Sequence, residues 1–380
     1  MAEYLTNTND LTLVADAIRT KGGTTELLTY PDEFVTAIQA IQTGTELQII
    51  VTVTSGATVT ATKGSLSVSG TSVNGTCTLT VPEPGEWTVS ATLGGQTSNS
   101  NIVNVVSSYD TSLAFISTIL NDNSWEAIRG ISDAGQGANY WSIGDGKAVT
   151  LNGTVGHLSL SNYTTYAFII GFNHNASVEG TNRIHFQIAK TALSGGTDVC
   201  FCDNQYAPDS GWSSPGADYF VMNASNTNSG GWESSQMRTN ICGTSLSSYS
   251  GTIIAVIPAA LRAVLKSVTK YTDNTGNKST AASAVTTTTD YFFLLSEFEV
   301  FGSISYGNKN EKNKQAQYAY YSAGNSKVKY KHNGTSTAAY WWLRSPRASN
   351  SYYFVFVRAD GTVNYTGARS SLGFAPGFCV

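Results

Sequence analysis

Trp341-Trp342-Leu343-Arg344-Ser345-Pro346 and Gly373-Phe374-Ala375-Pro376-Gly377-Phe378-Cys379-Val380 bracket residues 347–372, a stretch of different character. The brackets read as core and scaffold. Adjacent Trp341 and Trp342 bury a large area, Phe378 adds another ring, and Gly373 and Pro376 fix sharp backbone turns. The enclosed stretch reads as displayed surface: Arg347, Ala348, Ser349, Tyr352, Tyr353, Phe356, Arg358, Asn364, Tyr365, Thr366, Arg369 and Ser370. Tyr, Ser, Asn and Arg are the residue types that antibody loops use against diverse targets.

Composition sharpens this contrast. From Arg347 to Val380 there is no Lys, Glu, Gln, Met or Trp, whereas the preceding 346 residues hold 45 of them. At that rate roughly four are expected in the tail. Every residue type present there has a codon ending in a pyrimidine, and the five missing types have none. A segment rewritten at adenines within such codons has this composition.

Only 13% of the residues are charged, and Gly is abundant at 36 residues. That suits a β-rich, loop-rich extracellular or virion protein better than a helical cytosolic enzyme. A net charge of −4 gives no argument for nucleic-acid binding. No apolar run reaches 18 residues, so no membrane insertion is expected. Met1-Ala2-Glu3-Tyr4-Leu5-Thr6 has no basic patch before an apolar core, so no signal peptide is expected either. The five cysteines, Cys77, Cys200, Cys202, Cys242 and Cys379, are odd in number and read as buried reduced thiols. Cys200-Phe201-Cys202 lacks the spacing of a metal site.

Along the chain, residues 1–44 read as a helical unit. Leu11, Val14, Ala15 and Ile18 have helical spacing after Asp10, and Gly22-Gly23 ends the helix. A second helix is expected from Pro31, with Phe34, Ile38 and Ile41 on one face. Two such short helices leave apolar faces for a neighbour or another copy to cover. Residues 45–108 alternate in period two, as in Leu47–Val53, Thr58–Thr62, Gly75–Val81 and Trp87–Thr92, with turn residues between. They read as an Ig-like β-sandwich spacer with Trp87 in its core. Ser107–Thr111 reads as a linker, followed by a helix over 112–120. Residues 109–380 mix short helices, short strands and long loops, and the Thr-rich stretch 270–289 reads as a surface insertion.

Four further motifs, together with the two brackets, carry a family resemblance: Ser124-Trp125-Glu126-Ala127-Ile128, Asn139–Asp145, Phe292–Glu297 and Glu299-Val300-Phe301-Gly302. In combination, residues 112–380 resemble the variable proteins of diversity-generating retroelements. The resemblance implies a C-type-lectin-like fold, similar to that of formylglycine-generating enzymes, with a hypervariable ligand-binding face in the last segment. It implies that Phe354 and Val357 point inward or sit at a bend, while Tyr352, Tyr353, Phe356 and Arg358 point outward. The fold class expected is therefore α+β and multidomain. The N-terminal unit is similar to a segment of phage tail proteins, which implies attachment to tail partners. Relatives imply a homotrimer.

Catalytic patterns are missing. His157, His174, His185 and His332 form no HExxH or paired motif, and no GxSxG or GKS/GKT loop occurs. Formylglycine-generating activity needs a pair of cysteines near the C-terminus, where only Cys379 lies. The sugar-lectin calcium ligand triplets are absent as well, although a structural calcium held by loop carbonyls and Asp stays open. The expectation is a phage receptor-binding protein of the virion, with no catalytic residues and no cofactor. It would act on a host cell-surface protein or glycan. A bacterial surface or secreted adhesin without diversification is the alternative.

Overall fold

The computed structural model describes residues 8–22, 27–30, 32–40, 46–208 and 215–380. The protein is a mixed α/β chain built mostly of small sheets, and it divides into two compact units between Phe115 and Ile116. Among the described residues no helix is long and apolar enough to cross a membrane.

The first unit opens with helices Thr8–Gly22 and Asp32–Ala40. Ala15, Ile18 and Phe34 form a small core between them, while Val14 and Ile38 stand 49% and 53% exposed. Val14 and Ile38 thus lie off the buried face to which helical spacing assigned them. Pro31, Ile41 and Gly23 lie outside the described residues.

Eight strands follow: β1 (Gln48–Thr52), β2 (Thr58–Lys63), β3 (Leu66–Thr71), β4 (Thr76–Thr80), β5 (Gly85–Leu93), β6 (Gln96–Thr97), β7 (Asn101–Val105) and β8 (Ser108–Ser112). One sheet runs β4-β1-β8, the other β3-β2-β5-β6 with β7 also on β5. Period-two alternation turns Ile49, Val51, Val59, Ala61, Leu79, Trp87, Val89 and Val103 from both sheets into one core. Buried Trp87 donates its Nε1–H to Glu83 O at 3.1 Å, so its polar edge is satisfied. The expected linker Ser107–Thr111 is instead strand β8, parallel to β1. Its polar composition reflects an edge position with exposed side chains. No helix occupies 112–119, and a single 3-10 turn starts at Leu120: Leu113 joins the first core and Phe115 bridges Ser98.

In the second unit, helix Trp125–Asp133 starts at Ser124, whose side chain accepts the Ala127 N–H. It buries Trp125, Ile128 and Ile131. Strands β9 (Gly146–Val155), β10 (Leu158–Phe172) and β11 (Ile184–Lys190) are antiparallel neighbours. They are followed by β12 (Val199–Cys200), β13 (Val268–Asp273), β14 (Val285–Asp290), β15 (Phe292–Phe293), β16 (Lys329–Lys331) and β17 (Gly334–Ala339). The last four are β18 (Trp341–Pro346), β19 (Tyr353–Val357), β20 (Val363–Gly367) and β21 (Gly377–Cys379). β21 lies inside the largest sheet, in the order β15-β21-β11-β10-β9, so the final bracket runs through the core. β18-β19-β20 form a separate antiparallel sheet.

The Thr-rich stretch is not a surface insertion. β13 and β14 pair as a hairpin that buries Lys270, Thr272, Asp273, Thr288 and Asp290. Short Thr side chains alternate there with groups that complete an internal ion network. Glu311 caps this region. It accepts from Asp273 N at 2.9 Å and from Ser345 Oγ at 2.7 Å. Burial pushes the Glu311 carboxyl up from 4.5 to about 7.

A folded value above the unfolded one means that the stabilisation is complete below pH 4.5 and is lost as pH rises through about 7. Burial acts oppositely on His174 and His332, holding them down at about 3 and about 4, so their stabilisation is lost as pH falls from 6.5. Comparing wild type with Glu311→Gln cancels the histidines. From pH 4.5 to 8 the wild type is expected to lose roughly 3 kcal/mol relative to the variant, read from urea midpoints. A pH-independent difference between the two proteins would refute the assignment.

Candidate ligand-binding surface

The frame comes first. All six residues of β18 are buried. Trp341 Nε1 donates to Lys327 O and Trp342 Nε1 to Phe220 O, both at 2.9 Å. Gly373 bridges Trp341 in parallel and donates to Tyr340 O at 2.8 Å. Pro376 O accepts from Ile188 N at 3.0 Å. Phe378 stacks on Phe186 at 5.2 Å and meets Trp125 edge-on at 6.1 Å. These five scaffold residues are all buried.

Beneath this frame lies an ion network that no local sequence pattern announced. Lys270 Nζ donates to Glu179 Oε2 at 2.8 Å, Glu299 Oε1 at 3.1 Å and Tyr318 OH at 2.7 Å. Arg344 grips both Glu299 oxygens and also donates to Thr272 Oγ1 at 2.7 Å and Leu294 O at 2.8 Å. Burial alone would raise Glu299, but Arg344 and Lys270 outweigh it and hold the carboxyl well below its usual range. Burial raises Glu179, and the neighbouring Glu299 charge adds to the rise against the opposing pull of Lys270. Glu299 also closes a capping box with Ser296 on helix Glu297–Phe301. The Ser-x-x-Glu spacing is a readable signal for that one member.

His174, Glu179 and Glu299 bring ligand atoms within 4.8 Å of one another. The Lys270 ammonium already sits between the two carboxylates, so the residues present do not fit a metal ion there. A buried imidazole with two carboxylates also differs from the oxygen cage that calcium takes. Cys379 Sγ lies 3.2 Å from His185 Nδ1, but both residues are fully buried. Burial pushes the thiol up to about 12 and the imidazole well down, which opposes the thiolate that a nucleophile needs.

Above the frame, residues 347–369 face solvent to different degrees. Tyr352 is 50% exposed. Ser349 and Arg358 are exposed, and Arg347, Ala348, Tyr353, Asn364, Tyr365, Thr366 and Arg369 are half-buried. Phe354 and Val357 are buried. Two placements are corrected. Phe356 is 3% exposed, stacked on Tyr340 at 5.2 Å and edge-on to Trp342 at 6.3 Å. It shares a face with Phe354, two residues away, and the consecutive burial of Phe354 to Val357 shows that β19 is covered on both faces. Ser370 is also buried, its N–H donating to Gly367 O at 3.0 Å where the chain turns back into the core.

The half-buried aromatic groups form a ladder. The Arg347 guanidinium lies 3.4 Å over the Tyr365 ring, Tyr365 stacks on Tyr353 at 5.4 Å, and Tyr306 meets Tyr365 edge-on at 4.8 Å. Cross-strand pairing of β19 with β20 sets this order. Fully buried Asn228, far away in sequence, pins the 347–353 turn. Its Nδ2 donates to Asn350 O at 2.7 Å, Tyr353 O at 2.9 Å and Arg347 O at 3.3 Å, and its N–H donates to Ser351 O at 2.8 Å. Beside the ladder opens a cavity of about 570 Å³ lined by Thr280, Ser305, Tyr306, Gly307, Lys309, Arg347, Ala348 and Ser349. Five of these lie outside residues 347–372, in two loops that the sequence joins to the surface by no pattern.

Fold and surface together define a mixed α/β protein that carries an aromatic and cationic solvent-facing surface over a buried ion network. Residues 217–380, which include that whole surface, match the family described as "Domain of unknown function (DUF6273)". No curated protein matches the sequence.

Proposed function

We propose that this chain is a phage receptor-binding protein whose C-terminal surface docks on host-surface ligands, and that residues 347–372 are its diversified segment. The observation that carries this reading is the division within the last 40 residues. Trp341–Pro346 and Ser370–Val380 are buried throughout, while Arg347, Ser349, Tyr352, Tyr353, Arg358, Tyr365 and Arg369 reach solvent between them. Side chains at those positions can change without disturbing core packing. The segment's codon-limited composition supports diversification.

The C-terminal unit is read as C-type-lectin-like and the two-sheet unit as an Ig-like spacer. The N-terminal helices serve attachment, and exposed Leu13, Val14, Val35 and Ile38 offer apolar contacts to a tail partner or to sister chains of a homotrimer. Several copies per particle compensate for weak single sites.

Tyr352→Ala combined with Tyr353→Ala tests the surface. Loss of the two aromatic anchors is expected to weaken host-cell binding at least ~30-fold. The melting temperature is expected to move by only a few degrees, because one ring is half exposed and the other half-buried. Unfolding of the variant instead would place these tyrosines in the core and defeat the reading. Deep sequencing of the gene's 3′ end from a natural population tests diversification. Substitutions confined to codons 347–372 support it, and a uniform 3′ end leaves an undiversified adhesin.

A further inference from the structure

We propose that the cavity beside Arg347 is a subsite for an anionic saccharide, a sugar ring bearing a carboxylate or phosphate. The inference rests on the surface reading above and names the ligand class of part of that surface. Its volume, about 570 Å³, falls within the usual range of small-ligand sites.

Its walls carry, among the described residues, two cations, Lys309 and Arg347, and no Asp or Glu. Among the described residues neither cation forms an ion pair, and Lys309 is exposed. Arg347 is pre-set for an anion. Its guanidinium carbon is held 3.4 Å from the centre of the Tyr365 ring, and its buried Nε has no hydrogen-bond partner. A planar guanidinium held in this way presents a fork that matches two oxygens of a carboxylate or phosphate. Glu297 lies behind the wall with its carboxylate turned to the amides of Ser305, Tyr306 and Gly307, at 2.6, 3.2 and 2.7 Å, so its charge is bound on the protein side.

Charge alone would suit any small anion. The remaining lining groups favour a sugar: the ring of Tyr306 offers a stacking platform, and the hydroxyls of Thr280, Ser305 and Ser349 suit ring hydroxyls. The recognition is shared between two parts of the chain. Lys309 and Tyr306 lie outside residues 347–372 and Arg347 within them, so a fixed half-site would meet a changeable one.

Calorimetric titration of the full chain tests this with four probes: trigalacturonic acid, its neutral methyl ester, glucose 6-phosphate and glucose. The acid or the phosphate is expected to bind at least tenfold tighter than its neutral counterpart, with affinity falling as salt rises. The preferred probe identifies the anion. Lys309→Ala and Arg347→Ala are each expected to weaken that binding about tenfold. Lys309→Glu, at an exposed position that leaves folding intact, is expected to abolish it.

Equal affinity for charged and neutral probes overturns the proposal. So does failure of both charged probes to bind, or binding indifferent to Lys309 and Arg347. If the probes fail while host-cell binding still depends on Tyr352 and Tyr353, the subsite is refuted and the surface reading stands. If the probes bind while cell binding ignores those tyrosines, the subsite stands and the receptor reading falls.

Discussion

Arg344→Met is expected to destabilise the second unit by about 3–5 kcal/mol, because it leaves buried charge without its partner. At roughly 2–4 °C per kcal/mol for a domain near this size, the melting temperature should fall by about 10 °C or more. Arg344 is fully buried, and its side chain donates to Glu299, Thr272, Leu294 O and Tyr271 O. Methionine fills much of the volume but satisfies none of these acceptors. Glu299 would keep only Lys270 and its capping bond, while Lys270 stays shared with Glu179. The double substitution Arg344→Met with Glu299→Met should recover at least half of the loss. Both members of the tightest pair are then gone, and Lys270 keeps Glu179 as its charged partner beside Tyr318 OH. Scanning calorimetry on the single and double variants gives the coupling directly. A single variant within ~1 kcal/mol of wild type would show that the network contributes little to stability.

That network also marks where sequence reading stops. Glu179, Lys270, Glu299 and Arg344 are spread over more than 160 residues, and each, taken singly, is a residue type that normally faces water. Nothing local says that four of them meet at one buried point. Thr272 and Thr288 read as a polar insertion for the same reason, since composition reports polarity and not burial. What was legible followed from apolar pattern. The alternating runs of the first unit mark its strands, and the run Tyr166–Phe172 lies in β10. The two brackets are buried as their Trp, Phe and Pro content suggests. Phe356 was misplaced because the family resemblance set it outward, whereas strand alternation puts it on the same face as buried Phe354. Most of the cavity wall was invisible because Thr280 and the loop from Ser305 to Lys309 reach it through tertiary folding alone.

Gly373→Ala should show how closely the second bracket is fitted. A Cβ at this position would meet Cys200 Sγ at 2.3 Å, Tyr340 O at 2.8 Å and Cys200 Cβ at 3.0 Å. The carbonyl cannot step aside easily, because it accepts the Gly373 N–H at 2.8 Å, and Trp342 N donates to Gly373 O at 3.0 Å. The glycine is required here by close approach between two parts of the backbone. Over-packing of this kind costs about 1–3 kcal/mol, and the upper end or beyond is expected where backbone is the obstacle. Adding Cys200→Ala removes the nearest atom but leaves the Tyr340 carbonyl, so the double variant should regain roughly 1 kcal/mol and no more. Because Gly373 is bonded to β18, the strand that leads into Arg347, the single variant should also weaken host-cell binding with every displayed side chain unchanged. Denaturation midpoints together with cell binding measure both effects. Full stability in Gly373→Ala would mean that the bracket has slack, and the separation of rigid frame from changeable surface would lose its physical basis.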